Sequence, residues 1–477
     1  MLNFTKTKDA KPSKRIIILT FRVNLKPLLM EKKKTYPIDN LMAPFIRIVQ
    51  QEKSAGIMLG VGVVLALFLA NSPWSETYFN ILDYKFGFQF NNRIYFDYSI
   101  HDWINNGLMS IFFFIVGLEL KREMIDGELS HPRKAILPIF AAIGGMVVPL
   151  SVYLIFNHSG EMMHGWGIPM ATDIAFAIGV LYFLGDRVPV SLKVFLTALA
   201  IIDDLGAVLV IAFFYTSDLS LLYLGVGFAV LGLIFLLNKM GMRNILVYAI
   251  LGICGVWLAF LESGVSPTIA AVLVAFTIPA DMRLSAKEYV QRLRTTLDSL
   301  VKVDDVENKE IKILSEEKLD HLEKIKKDTS YLTPPLQFLE QGMAVFVAFF
   351  VVPVFALANA GVDLRMDLST LFSTNIMMGT AFGLLIGKVI GITGFTLLLI
   401  KLKVASFPSG MNFKNLIGLS LLAAIGFTMS LFITMLAFTH EEYIVQAKVG
   451  IFIASIISGV LGYLWLNYLG KKEGVRK

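Results

Sequence analysis

Four ionisable residues of the 477-residue chain stand inside long apolar runs, and each can hold a proton or face a small cation: Asp173, Asp203, Asp204 and Lys388. If those runs cross a membrane, an Asp or Lys at a helix centre costs about 2.5–3.5 kcal/mol on insertion scales. Such residues need a chemical reason to be there. Asp203 and Asp204 are adjacent within Val194-Phe-Leu-Thr-Ala-Leu-Ala-Ile-Ile-Asp-Asp-Leu-Gly-Ala-Val-Leu-Val-Ile-Ala, near the centre of the run. Carboxylates are hard oxygen ligands, and with a hydroxyl or a free carbonyl they could coordinate Na⁺ while also accepting protons. Neighbours on a helix are about 100° apart, so one carboxylate would line an aqueous cavity while the other reaches a second partner. The alternative is a helix that stops at the pair and leaves both in solvent.

Lys388, in Leu384-Leu-Ile-Gly-Lys-Val-Ile-Gly-Ile-Thr-Gly, lies too deep for its ammonium to reach an interface by extending its side chain. It is expected to be a buried counter-ion for one of the aspartates. Thr172 and Asp173 follow Pro169 in Trp166-Gly-Ile-Pro-Met-Ala-Thr-Asp-Ile, with too few apolar residues before them to complete a half-helix. Both are N-cap types, which predicts an extended break with a helix starting at the pair; an ordinary cap at the membrane surface is the competing reading. Gly426 and Thr428 in Ala424-Ile-Gly-Phe-Thr-Met-Ser offer a similar, weaker break, since Gly and Thr also serve as packing positions in membrane helices. Glu119, Arg122 and Glu123 end another apolar run. Glu119 and Arg122 are i,i+3 neighbours able to pair, or the three form a plain interfacial charge cluster.

The elements that must position these residues follow from composition. Hydrophobic residues make up 56% of the chain and charged ones 17%, with mean hydropathy +0.67. Soluble chains run at about 25% charged, so an ordinary soluble enzyme is excluded. A membrane helix needs about 20 apolar residues. The chain offers runs near 56–72, 103–120, 135–156, 167–185, 191–214, 218–237, 243–261, 264–280, 341–360, 375–400, 413–437 and 443–468. The expected fold class is therefore an all-α polytopic membrane protein of about twelve spans, interrupted near 167–185 and 413–437.

The first 53 residues, with 12 Lys/Arg against 4 Asp/Glu, supply +8 of a net +6 and the remaining residues −2, so the excess marks a basic tail beside the bilayer and not a nucleic-acid partner. Both chain ends and the alternate connections together hold 38 of the 43 Lys/Arg, which by the positive-inside rule puts both termini in the cytoplasm. The expected organisation is a basic tail over 1–53, eight spans over 54–280 with an outer β-hairpin at 84–98, a charged cytoplasmic helical insertion at 281–338, four spans over 339–470 and a cytoplasmic tail at 471–477. No signal-peptide core is present near the start; Met30 or Met42 would give a more usual cytoplasmic lead-in. The hairpin alternates aromatics around Asn91-Asn92. A lone two-stranded hairpin is marginal in water, so it is expected to pair with the hairpin of a second subunit, or else to lie on its own membrane domain. In the insertion, Val290, Leu293, Leu297 and Leu300, then Leu319, Leu322 and Ile325, mark two helical faces. A solvated connector or a partner-binding piece would both fit. A single cysteine, Cys254, excludes a disulfide framework and a thiol metal site, and the six histidines are scattered with no ligand spacing.

The blocks Phe113-Phe-Ile-Val-Gly-Leu-Glu-Leu-Lys-Arg-Glu, Ala171-Thr-Asp-Ile-Ala-Phe-Ala-Ile-Gly, Ile201-Ile-Asp-Asp-Leu-Gly-Ala, Phe355-Ala-Leu-Ala-Asn-Ala-Gly-Val and Ala424-Ile-Gly-Phe-Thr-Met-Ser resemble the signatures of the NhaA-type sodium/proton antiporters. They occur in the family's order and cover 42–470. The resemblance implies inverted-topology repeats and alternating access in a bacterial inner membrane. It implies that Asp203 and Asp204 bind Na⁺ or Li⁺ and exchange protons, with no cofactor. Asp173 would offset the positive ends of two crossing half-helices and Lys388 their negative ends, Lys388 pairing with Asp204 when no ion is bound. Thr172 could add an oxygen ligand, and Glu119, Arg122 and Glu123 would belong to a region of pH response. Two departures stand out: Ser266 occupies a position where family members often carry His, and 281–335 exceeds the family's short loop.

A carboxylate titrates near 3.9 in water, and desolvation with a like-charged neighbour favours its neutral form, so Na⁺ and protons can compete for the same oxygens. If Lys388 also released its proton, two protons would exchange per Na⁺. Na⁺-coupled symport of an organic acid is the alternative transporter reading; the spans show no basic residue for an anion except Lys388. An intramembrane aspartyl protease needs aspartates on two helices facing across a peptide, which adjacent residues cannot provide, and Gly-X-Gly-Asp is absent. A channel would pass ions without coupled protons.

Overall fold

The computed structural model describes residues 53–474 apart from 91–92, 217–218, 283, 305–315 and 364–373. The basic tail over residues 1–52, Met30 and Met42, the Asn91-Asn92 turn and the last residues of the 471–477 tail lie outside the described residues.

Among the described residues nine helices are long and apolar enough to cross a membrane, or eleven if each of two bent pairs is one span. Every expected run contains helix, but not always a full span. Pro267–Thr277 has only 11 residues, about 16 Å at 1.5 Å per residue, against a hydrocarbon core of roughly 30 Å. Its C-terminal end is closed by Lys121, whose Nζ donates to the carbonyls of Phe276 (2.7 Å) and Ile278 (2.5 Å). The short helix is thus capped inside protein by a lysine from the Ile100–Asp126 helix. The first run forms Lys53–Ala70 and then turns by 112° into Ser75–Asp83.

Strands β1 (Lys85–Phe90) and β2 (Arg93–Ser99) form the antiparallel hairpin that the aromatic alternation predicts, with Phe86 opposite Tyr98 and Phe88 opposite Tyr95. The register shift between those pairs is a bulge, and Phe96 within it takes a left-handed φ of 59°. The hairpin is fastened at its base, where Ile100 N donates to Tyr84 O (3.0 Å) and Trp103 Nε1 to Phe86 O (3.1 Å).

The helix that carries Lys388, Asn375–Lys401, contains a π-turn at Gly383–Gly387 immediately before the lysine. Gly383, Gly387 and Gly391 recur every four residues on it, the small-residue spacing that lets membrane helices approach closely. A Cβ on Gly387 would meet Pro149 Cα at 2.6 Å, and one on Gly391 would collide with the Gly144 carbonyl. The tenth expected span therefore lies backbone to backbone against Pro132–Phe156. Gly391→Val is expected to cost about 1–3 kcal/mol by overpacking and to displace Lys388 one turn away; thermal unfolding in detergent reads the first effect and loss of transport the second.

The insertion forms two helices, Ala286–Asp304 and Glu316–Leu332, that pack on each other. At their base Leu284 N donates to Tyr331 O (3.3 Å), joining the two ends of the insertion, and Leu336 N donates to Pro279 O (3.1 Å) beside the apolar helices. The apolar faces read from the sequence are only partly covered: Val290, Leu297, Leu319 and Leu322 are exposed, whereas Leu293 and Ile325 are half-buried.

Candidate ion-binding site

Two chain breaks cross each other. A 3₁₀ segment, Glu161–Met170, gives way to extended backbone at 171–173, and an α-helix resumes over Ile174–Phe183. Opposite it, Phe413–Ala423 and Phe427–Ala437 are separated by a short break and bent by 46°. Both expected interruptions exist, and the surface-cap reading of Thr172-Asp173 is overturned because both residues are buried.

The crossing is held by main-chain and hydroxyl contacts. Asp173 N donates to Ile425 O (2.7 Å) and Thr172 Oγ1 to Ala423 O (2.7 Å). The Asp173 carboxylate accepts from Phe176 N (2.9 Å) through Oδ1, and from Thr428 N (3.1 Å) and Thr428 Oγ1 (2.6 Å) through Oδ2. One carboxylate thus sits between the N-terminal ends of two half-helices, where unpaired N–H groups and the helix dipoles favour negative charge. At Gly426 a Cβ would come within 3.0 Å of the Ala171 carbonyl, so the close approach of the two breaks requires glycine there. Thr428→Val removes one hydroxyl from the buried Asp173 carboxylate. A loss of about 1.5–3 kcal/mol is expected, measurable as a lower unfolding midpoint in detergent with helix content retained.

Asp203 and Asp204 lie near the middle of the unbroken 25-residue helix Val190–Phe214. They are 1% and 0% exposed, so the helix does not stop at the pair. Lys388, also fully buried, donates from Nζ to Thr172 Oγ1 (2.9 Å) and forms its ion pair with Asp203 Oδ2. Its carboxylate partner is Asp203 and not Asp204, contrary to what the resemblance implied. The helical offset between the two aspartates turns Asp203 toward the Asn375–Lys401 helix. Through Thr172 the ammonium also reaches the Ala423 carbonyl at the C-terminal end of a half-helix. Three buried carboxylate oxygens, Asp203 Oδ1 and both of Asp204, accept no hydrogen bond among the described residues. That set fits a small cation needing oxygen ligands. Among the described residues no group of three or more His, Cys, Asp or Glu is placed to hold a metal ion, so further ligands to a cation at the aspartate pair would be hydroxyl, carbonyl or water oxygens.

The family described as Na⁺/H⁺ antiporter 1 matches residues 46–466. Among similar proteins, the Na⁺/H⁺ antiporter NhaA 1 of Saccharophagus degradans is 45% identical over 91% of this chain and 93% of its own length. The Na⁺/H⁺ antiporter NhaA of Christiangramia forsetii is 45% identical over 89% and 94%, and that of Wolinella succinogenes 42% identical over 92% and 96%. The chain belongs to the Na⁺/H⁺ antiporter 1 family.

In this family member the remaining candidate residues are arranged differently from the sequence expectation. Arg122 does not pair with Glu119. It bonds Glu123 Oε1 (3.0 Å) and, from a distant helix, Glu340 Oε1 (3.0 Å). Glu340 was not singled out from the sequence, because it stands just after the charged insertion and reads as part of it. Glu119 is half-buried on the same helix as Arg122. A second lysine inside an apolar helix was also passed over. Lys448 is buried, with Nζ 3.5 Å from Gly361 O. Its position close to the start of the Glu441–Gly474 helix makes it resemble a boundary charge in sequence. Near that end, His101 Nε2 lies 3.0 Å from Asn359 Oδ1, and Asn359 Nδ2 donates to Asn105 Oδ1 (2.8 Å).

Proposed function

We propose that this protein is a secondary Na⁺ (or Li⁺)/H⁺ antiporter, not an enzyme, that exports Na⁺ in exchange for protons through one site at Asp203 and Asp204. The observation that carries the reading is the set of three buried, unpartnered carboxylate oxygens beside two crossing chain breaks. Na⁺ takes oxygens of Asp203 and Asp204, with the Thr172 hydroxyl as a nearby further ligand, and displaces protons from the same oxygens. No carrier cofactor is needed, because both cargoes bind side chains directly.

Asp173 stabilises the positive half-helix ends and Lys388 the negative ones, keeping the extended segments crossed while the site opens to either side in turn. When Na⁺ takes Asp203, Lys388 loses its partner and releases its own proton; with the proton from Asp204, two protons are exchanged per Na⁺. One net charge then moves inward per cycle, contributing about 2.3 kcal/mol per 100 mV. In this reading twelve spans form inverted-topology repeats, both termini and the 281–338 insertion are cytoplasmic, and the protein resides in a bacterial inner membrane. The 84–98 hairpin pairs with its counterpart in a homodimer. Glu119, Arg122 and Glu123, extended by Glu340, adjust activity to pH. Symport of an organic acid would need a cation for the carboxylate beside bound Na⁺, and in this reading Lys388 is paired with Asp203 before Na⁺ binds and neutral after it.

Purified protein in liposomes tests the reading. An imposed Na⁺ gradient should drive opposite proton movement, and under a clamped potential the charge moved should equal one per Na⁺. Na⁺ flux without a pH change would indicate a channel and overturn it.

A further inference from the structure

We propose that the cleft between the Ala286–Asp304 and Glu316–Leu332 helices binds a phosphate ester anion, either a soluble one or a phospholipid headgroup. The cleft has a volume of about 480 Å³ and is open to solvent, and its walls are built from two facing helix stripes. Arg292, Thr295 and Thr296 lie on one stripe at i, i+3 and i+4; Lys324, Lys327 and Asp328 lie on the other at i, i+3 and i+4. Side chains at that spacing share a helix face. Three cations therefore look into one cavity that contains a single carboxylate.

That carboxylate does not neutralise them. Asp328 meets only Arg292, at 3.4 Å, and Lys324 and Lys327 have no ion pair among the described residues. A dianion seated in the cleft would meet all three cations at once. The threonine hydroxyls narrow the ligand class. Thr295 Oγ1 donates to Gln291 O and Thr296 Oγ1 to Arg292 O, each at 3.0 Å. Their protons are committed, which leaves their oxygens as acceptors for a hydroxyl on the ligand. A phosphate that also carries hydroxyls, as glycerol phosphate does, satisfies both the cations and the threonines.

The cleft reaches Tyr331, whose carbonyl accepts from Leu284 N at the base of the insertion. Next to it, Leu336 N bonds Pro279 O, where the apolar helices begin. This places the basic stripe within a few turns of the bilayer-crossing helices, so a headgroup and a soluble ester are both able to reach it.

Calorimetric titration of glycerol phosphate into the full chain in uncharged detergent tests the proposal. Saturable binding is expected, about tenfold weaker for each of Lys324→Gln and Lys327→Gln and retained in the Lys324→Arg/Lys327→Arg double variant. Repeating the titration in nanodiscs separates the sources: inhibition by phosphatidylglycerol relative to phosphatidylcholine identifies a headgroup site, and equal binding in both a soluble-ligand site. Absence of saturable binding by the unmodified chain, or unchanged binding in the glutamine variants, would overturn it.

Discussion

Replacing Asp204 by asparagine is expected to remove measurable Na⁺ binding from the purified protein. Both Asp204 oxygens are buried and accept no hydrogen bond among the described residues, so they are the most available ligands in the site. The amide keeps the shape but offers one acceptor in place of two and introduces N–H donors that point at a cation. Charge-assisted contacts of this kind are worth about 1.5–3 kcal/mol each, so losing one and leaving the other neutral lowers affinity by roughly a hundredfold. Isothermal titration with NaCl against constant ionic strength measures it. Helix content should be unchanged, because Asp204 makes no bond that holds the Val190–Phe214 helix in place. Na⁺ heats that persist in Asp204→Asn would place the cation elsewhere.

Lys388→Met is expected to give the largest loss of stability. The ammonium is fully buried and has two partners, Asp203 and the Thr172 hydroxyl that in turn bonds Ala423 at the crossing. Removing one member of a buried ion pair strands the other, at about 3–5 kcal/mol. Adding Asp203→Asn to Lys388→Met removes the stranded charge, so the double variant should regain much of the lost thermal stability. A purely additive double variant would show that the two residues are not energetically paired. In reconstituted protein, Lys388→Met should also reduce the charge moved per Na⁺; an unchanged current per Na⁺ would remove this lysine from the proton stoichiometry.

The buried charges that the structure gathers near the crossing were legible because charge inside an apolar run has few innocent explanations. Asp173, Asp203, Asp204 and Lys388 declared themselves by type and depth, and Thr172-Asp173 after Pro169 announced a helix break by cap chemistry. Which aspartate Lys388 meets was not legible. Adjacent helix positions differ by about 100°, and the choice depends on how one helix is rotated against another. The π-turn at Gly383–Gly387 changes the helix register immediately before the lysine, and residue type and depth do not show it. The Arg122–Glu340 pair joins helices from remote parts of the chain, and i,i+3 spacing favoured the local Glu119 in its place. The Pro267–Thr277 helix read as a full span because apolar length in sequence does not show where a helix ends inside protein.

The aspartate pair is the proposed shared site of Na⁺ and protons. Na⁺-induced proton efflux from acidified everted membrane vesicles tests it most directly, with the unmodified protein beside Asp203→Asn and Asp204→Asn at matched membrane abundance. Robust efflux from the unmodified protein and none above protein-free vesicles from either variant is the predicted result. Efflux that survives both substitutions would contradict the account.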